Sequence, residues 1–462
     1  MSYTMNYDSR GIGTGKTYDQ ISRMANDPGL YLFAVDKRDL MVERRTTLEE
    51  MARIGGRNIH IMEIRSAFAG EVDGTVCVRV AIEALPTTYE SGHVVVFCTH
   101  EGLKSANLER FDEWHLVIDE ALSLWDQCKL QTSISTGLLE QLFVIEPGEV
   151  ASRIVPRSTL GRREFHLDTL AAPVAALHAR ASDGRNIVVT HLESWAELAE
   201  NPAWTWWSLW SPAQLCAFQS VVILAAGFDT SLFYRLCQSI APDVDWHPMK
   251  KVGLERSYTP RRLTIRYFAE GHHASRYRFN SVAGQAGLAK IAGYLSLRPG
   301  PRIWSCNSRE HPTFSARLPH GYISPRQAGS NRYAHIDEAA FIYTSKPHEH
   351  ERRILTALDV DPQAVIESRE FDTIYQFIAR TSVRDAASSR PVTAYVYDRV
   401  QADTLARSFA DRSGLDIELE LIDLGFAHDV PGRQDLSTLT PAEKAERQRV
   451  QAKERKRRQR SK

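Results

Sequence analysis

Short apolar runs alternate with longer amphipathic stretches over the first part of the chain. Tyr31 to Val35, Asn58 to Ile64, Val94 to Cys98 and Leu116 to Ile118 read as buried strands, and Tyr3 to Tyr7 is the candidate strand ahead of them. Lys37 to Met51 reads as a helix, as does Thr75 to Leu85 up to the stop at Pro86. Residues 123 to 215 break this rhythm, with a strand-like Asn186 to Thr190 and the dense group Trp195, Trp204, Trp206, Trp207 and Trp210. Val221 to Ala226 is one more apolar strand. Beyond Pro260 a second alternation begins: strands Leu263 to Tyr267, Arg302 to Cys306, Ala340 to Thr344 and Val392 to Val396, with helices Ala283 to Leu297, His348 to Leu358 and Ala402 to Phe409. Buried strands joined by helices predict an α/β fold of parallel sheets covered on both faces, with ligands at the strand ends.

The loop after the first strand carries chemistry. Arg10-Gly11-Ile12-Gly13-Thr14-Gly15-Lys16-Thr17 places glycines where the main chain must turn tightly and approach phosphates closely. Lys16 supplies a mobile positive charge near the β and γ phosphates, and the Thr17 hydroxyl suits Mg²⁺. Gly11, Gly13, Thr14, Gly15, Lys16 and Thr17 are therefore the candidate ATP-binding residues. Arg10 stands where a small residue is usual, and an ordinary glycine turn before a surface helix also fits the pattern. The strand ending in Asp119-Glu120 supports the nucleotide reading: Asp119 would hold hydrated Mg²⁺ and Glu120 would polarise the attacking water. The same two acids would also serve as caps of a following helix.

Composition narrows the class. A chain of 462 residues, 43% hydrophobic and 25% charged, is ordinary for globular domains, two or three of them at this length. The six cysteines form no C-x-x-C pair, which argues against a zinc knuckle or a disulfide framework and for a reducing, cytoplasmic setting. No leader or long apolar run opens the chain, so secretion and a membrane partner are not expected. With only ten residues before Gly11, no upstream base-reading segment is expected either. The net charge of zero hides an asymmetry: residues 441 to 462 hold ten Lys or Arg against three Glu, leaving that tail at +7 and the rest at −7. Binding of a polynucleotide by the body must then use local clusters such as Lys250, Lys251, Arg256, Arg261, Arg262 and Arg266. The tail begins with a helix-start signature, Thr440-Pro441-Ala442-Glu443, and reads as a basic, solvated helix. The tryptophans fit either base stacking or packing in a core.

Gln376, Arg380 and Arg384 are spaced four apart and would share one face if their segment is helical. Two arginines facing Lys16 across a cleft would neutralise charge building on a γ phosphate, whereas a surface helix with paired arginines needs no ligand. Taken in order, the lysine loop, Asp119-Glu120-Ala121 and this array resemble the superfamily 2 helicases and translocases of the DEAD/DEAH-like type. Thr99-His100-Glu101-Gly102-Leu103 looks like the strand-contacting threonine motif of that family, and Gln327-Ala328-Gly329-Ser330-Asn331-Arg332 like its fifth motif.

The resemblance spans roughly residues 10 to 400. It implies two RecA-like domains with ATP and Mg²⁺ in the cleft between them, and a nucleic-acid strand across both, DNA in preference to RNA. On that view residues 1-245 form the first domain, 246-430 the second and 431-462 the basic tail. Lys16, Asp119, Glu120, Gln376, Arg380 and Arg384 are the catalytic set. Gly329 joins the nucleotide contacts, and Lys37, Arg38, Thr99, His100 and Arg332 grip the strand. Partner proteins of replication or remodelling fit such a motor. Several positions depart from the family pattern: Ala225-Ala226-Gly227 stands for Ser-Ala-Thr, Asn331 for an acid and Ala379 for glycine, and the two arginines are one residue further apart. Without the two hydroxyls, an ATP-gated clamp that does not separate strands is the alternative reading, and a P-loop kinase of small molecules is a third.

Overall fold

A computed structural model describes residues 3–66, 77–131, 136–148, 151–157, 172–191, 203–249, 258–271, 273–325, 332–410 and 414–425. Within these, the chain builds three sheets. The first has seven parallel strands: β1 (Tyr3–Asp8), β2 (Leu30–Val35), β3 (His60–Ile64), β4 (Val94–Thr99), β5 (Trp114–Asp119), β11 (Ser220–Leu224) and β12 (Val244–Pro248). Their order across the sheet is β12-β1-β11-β5-β2-β4-β3. β2 is buried along its whole length because both sheet faces are covered, which is why it reads as an unbroken apolar run. The helices α1 (Lys16–Asn26) and α2 (Arg38–Ile54) lie on one face over Phe33, Val35, Phe97 and Val117. β12 has no apolar signature, since its edge position leaves most of its residues half-buried or exposed.

The segment that resists a sequence-based assignment, between β5 and β11, holds a second sheet, antiparallel and five-stranded. It comprises β6 (Trp125–Gln131), β7 (Phe143–Glu146), β8 (Ser152–Pro156), β9 (Asn186–Thr190) and β10 (Ala203–Trp210), in the order β6-β10-β9-β8-β7. The tryptophans are its core. Period-two alternation along β10 turns Trp204 and Trp206 toward Leu177, Val188 and Ile154, while Trp207 and Leu209 face the first-lobe core on the other side. All four tryptophans of β10 are almost fully buried, and the Trp204 indole donates to the Thr190 hydroxyl at 2.8 Å. They are packing residues, not a stacking surface for bases. Trp195 lies outside the described residues.

The third sheet is parallel: β13 (Arg261–Ala269), β14 (Ile303–Cys306), β15 (Glu338–Ile342), β16 (Val392–Asp398) and β17 (Leu415–Leu421), ordered β14-β15-β16-β13-β17. Helices Val282–Ser296 and Arg399–Phe409 pack on it from the two opposite cores. Two parallel sheets flanked by helices, each with its own core, match the two α/β domains that the alternation predicts, arranged as the RecA-like pair that the resemblance implies. The lobes are also joined by apolar packing, because Ile354, Leu355, Val360, Ala364 and Val365 of the second lie in the core cluster of the first. Beside them the Trp125 indole donates to Glu351 Oε1 at 2.9 Å, and Arg369 closes on the same carboxylate at 2.8 Å. The basic tail, residues 431-462, lies outside the described residues, as do Lys250, Lys251 and Arg256.

Candidate nucleotide site

The lysine loop runs from the end of β1 to the first turn of α1. Gly13 and Gly15 have φ of 79° and 89°, left-handed values at which a Cβ would be strained, so the two glycines are dictated by the turn. The Thr14 hydroxyl donates to the Gly11 carbonyl at 2.9 Å. Arg10 has a local role: its guanidinium forks onto Asp8 and also reaches Asp19 at 2.7 Å, bracing the loop against α1. Lys16 is buried and donates to the Arg10 and Gly11 carbonyls at 2.6 and 3.2 Å. Burial pushes its ammonium below the ordinary lysine range, opposed by Glu120, Asp8 and Asp119.

β5 is not the immediate neighbour of β1. β11 lies between them, and because all three are parallel their carboxyl ends still meet on one edge. Asp119 ends β5, and its Oδ1 accepts from the Thr17 hydroxyl at 2.8 Å, 102 residues away in sequence. The next residue, Glu120, adopts φ of 72°, which turns the chain out of the strand at a cost of about 1 kcal/mol or more. It is not a helix cap, since no helix follows it: after a short turn the chain enters β6. Burial lifts the Glu120 carboxyl to about 7, with Lys16 pulling it down and Asp119 and Asp372 pushing it up. At the end of β11, the Gly227 N–H donates to the Ser9 carbonyl at 3.2 Å, a main-chain link from Ala225-Ala226-Gly227 to the lysine loop.

The second lobe closes the cleft. The segment Tyr375 to Asp385 is not one helix: helix Asp372–Ile378 ends where Thr381 becomes extended, with its hydroxyl donating to the Ile378 carbonyl, and a single 3₁₀ turn follows at Ser382–Arg384. Arg384 nonetheless faces the loop, and Arg380 lies within electrostatic reach of Glu120. The Arg384 side chain lies 3.5 Å from where a Cβ on Gly13 would sit, the Tyr375 hydroxyl 3.7 Å from one on Gly11, and Ile12 packs against the second-lobe core. Arg380 is 4% exposed, and its Nε donates to the Gln376 carbonyl at 3.0 Å while its Nη1 has no hydrogen-bond partner. Burial lowers its guanidinium to about 10 against the pull of Glu120. Asp372, four residues before Gln376 and hydrogen-bonded by it, is raised to about 7 by burial despite the attraction of Lys16. A cleft of 1240 Å³ is lined by Gly11, Glu120, Asp372, Gln376 and Arg380, among others.

This donor set fits a magnesium nucleotide. An orphaned guanidinium nitrogen points to an anionic partner, since buried polar atoms are otherwise paired. Among the described residues no group of three or more metal-ligating side chains occurs, and Mg²⁺ needs none, because it keeps most of its waters and takes one or two protein oxygens.

The fold has solved counterparts. An XPD helicase superposes over 90% of this chain and 96% of its own with a TM-score of 0.50 at 10% identity. The chain shares the fold of that helicase. Xpd4 of S. tokodaii covers 91% of this chain and 96% of its own at 11% identity with a TM-score of 0.45, and S. cerevisiae Dbp5, bound to RNA and ADP BeF3, covers 91% and 85% at 11% with 0.32. No protein-family model matches the chain, and no curated protein matches it.

On this fold Lys37 and Arg38 follow the end of β2, Thr99 and His100 lie at the end of β4, and Arg332 precedes β15. Thr99 ends β4 and caps the next turn, accepting from Gly102 N–H at 3.1 Å. His100 points inward, buried, with its Nε2 3.1 Å from the Asp119 carbonyl oxygen; burial lowers its imidazole pKa. Lys37 leads into α2, and Arg38 donates to the Ser66 carbonyl at 3.3 Å. Arg332 is exposed, 6.0 Å over the Tyr333 ring, and Gly329 lies outside the described residues. The expected basic cluster on β13 is consumed internally: Arg261 donates to the Ser382 and Val383 carbonyls, Arg262 pairs with Asp416 and Glu418, and Arg266 with Glu420. Two site residues have no sequence motif. Asp372 and Arg44 are recognised only by proximity, the first to Lys16 and the second to Asp119, which it meets at 3.0 Å.

Proposed function

We propose that this protein is an ATP-dependent nucleic-acid helicase or translocase that hydrolyses ATP between its two RecA-like lobes. The observation that carries this reading is that Gly11 of the lysine loop, Glu120 and Arg380 line one cleft, with Thr17 on Asp119 and Arg384 against Gly13 beside it, from positions more than 360 residues apart. Gly11, Gly13, Thr14 and Gly15 wrap the phosphates with main-chain N–H groups, and Lys16 turns from its two loop carbonyls to the β and γ phosphates. Thr17 and Asp119 hold Mg²⁺, which when bound supplies positive charge to the phosphate oxygens.

Glu120, with a carboxyl near 7, takes a proton from the attacking water, and a base titrating near the working pH is well matched to that task. Arg380 and Arg384 offset the charge that develops on the γ phosphate, and Gln376 keeps Asp372 and Arg380 in register. Lys37, Arg38, Thr99 and Arg332 contact the phosphates of a strand, which carry little sequence information. DNA is preferred to RNA on family resemblance, and replication or remodelling proteins are the expected partners. The domains are residues 1-245 and 246-430, and the cytoplasm is the expected location. No described helix is long and apolar enough to cross a membrane.

An ATP-gated clamp is the second reading. It is favoured by the missing hydroxyls of Ala225-Ala226-Gly227 and by the apolar docking of Ile354 and Leu355 into the first lobe, which resists repeated opening. The deciding experiment measures ATP hydrolysis with single-stranded DNA, duplex DNA and RNA added in turn, beside strand displacement. Lys16→Ala should abolish turnover; sustained, polynucleotide-stimulated hydrolysis by that variant rules out the assigned site.

A further inference from the structure

Both carboxylate oxygens of Asp119 are taken by protein groups. The Thr17 hydroxyl donates to Oδ1 at 2.8 Å, and Arg44 Nε, from the second turn of α2, donates to Oδ2 at 3.0 Å. The Arg44 side chain is 14% exposed and that of Asp119 6%, so this is a partly buried ion pair and not a surface one. The first contact is compatible with a hydrated cation beside Thr17. The second is not, because a guanidinium never loses its charge and would share the carboxylate with a divalent ion. Arg44 has a second acceptor within reach: its Nη1 meets Glu43 Oε1 at 3.0 Å, and Glu43 is 40% exposed.

We propose that Arg44 is an internal counter-ion that competes with Mg²⁺ for Asp119. It neutralises the carboxylate whenever no metal does so, and withdraws onto Glu43 when the metal nucleotide binds, thereby setting the Mg²⁺ concentration at which the site loads. This rests on the nucleotide reading above and adds a positioning residue to it, since Arg44 acts through Asp119.

The test uses the full chain, with ADP affinity measured by calorimetry in excess EDTA and along a Mg²⁺ titration. Electron paramagnetic resonance of Mn²⁺ with ADP present counts bound metal directly. Arg44→Ala should leave metal-free ADP affinity within about twofold and lower the midpoint for Mg²⁺ and Mn²⁺ by roughly tenfold, or about 1.4 kcal/mol. Arg44→Lys, which keeps a positive charge, should restore a midpoint near that of the wild type. Glu43→Gln removes the withdrawal site and should raise the midpoint roughly threefold, a shift in the opposite direction that loss of folding in the alanine variant cannot mimic. Equal metal midpoints in wild type, Arg44→Ala and Glu43→Gln overturn the proposal, as does a change in metal-free affinity as large as the change with metal. Failure of the wild type to bind ADP in any condition overturns the nucleotide reading itself.

Discussion

Replacing Glu120 by Gln should remove activity and stabilise the protein at the same time. The carboxyl titrates near 7 in the folded chain and near 4.5 in the unfolded one, mainly because burial penalises its charged form. A raised carboxyl means that the folded state binds the proton more tightly. The native protein is therefore favoured at low pH and loses stability as pH rises from the unfolded value through about 7. The difference between those two values is worth about 3 kcal/mol in full, and the interval from pH 5 to pH 8 covers about 2.5 kcal/mol of it. Part of Glu120 faces the cleft, and water there reduces this to about 2 kcal/mol. Gln keeps the size and the hydrogen-bonding shape but carries no charge. Urea denaturation followed by tryptophan fluorescence should then show Glu120→Gln gaining about 2 kcal/mol over the wild type at pH 8 relative to their difference at pH 5. ATP turnover should be lost at both. A stability difference that does not change with pH refutes the reasoning, since it would mean that the wild-type carboxyl is already solvated and ordinary.

Arg380→Ala should preserve binding of a fluorescent ATP analogue but cut hydrolysis by about a hundredfold or more; normal hydrolysis would make that arginine a structural residue only. Trp204→Ala should destabilise the inserted sheet by about 3 to 5 kcal/mol, since it empties a fully buried indole site and removes the N–H donor to the Thr190 hydroxyl, which keeps its own bond to the Thr205 carbonyl. If that variant unfolds at the wild-type urea midpoint, the indole does not hold the sheet together.

The strands of the two parallel sheets are legible in the sequence because a strand covered on both faces must be apolar throughout, as in Leu30–Val35 and Val94–Thr99. The antiparallel sheet is harder to read. Its strands serve two cores of different composition, and β6 and β10 are recognisable as partners only through a register linking residues such as Trp206 and Cys128, far apart in the chain. Edge strands β12 and β17 carry no apolar run, being half-solvated. The helix expected across Tyr375 to Asp385 stops early because the Thr381 hydroxyl bonds back to the carbonyl of Ile378, a local competition that side-chain spacing does not reveal.

The site divides in the same way. The glycines, Lys16, Thr17, Asp119 and Glu120 are found from sequence because the turn and the phosphate chemistry restrict residue type at fixed spacing. Arg44 and Asp372 are ordinary charged residues on helices until folding sets one against Asp119 and brings the other near Lys16. Arg261, Arg262 and Arg266 look available for phosphates until folding supplies their partners, the Ser382 and Val383 carbonyls for the first and carboxylates of β17 for the other two. Local pattern decides which backbone each segment can adopt. Only the tertiary structure decides which charges meet, because a Coulomb partner is selected by distance in space, and the chain carries no record of that distance along its length.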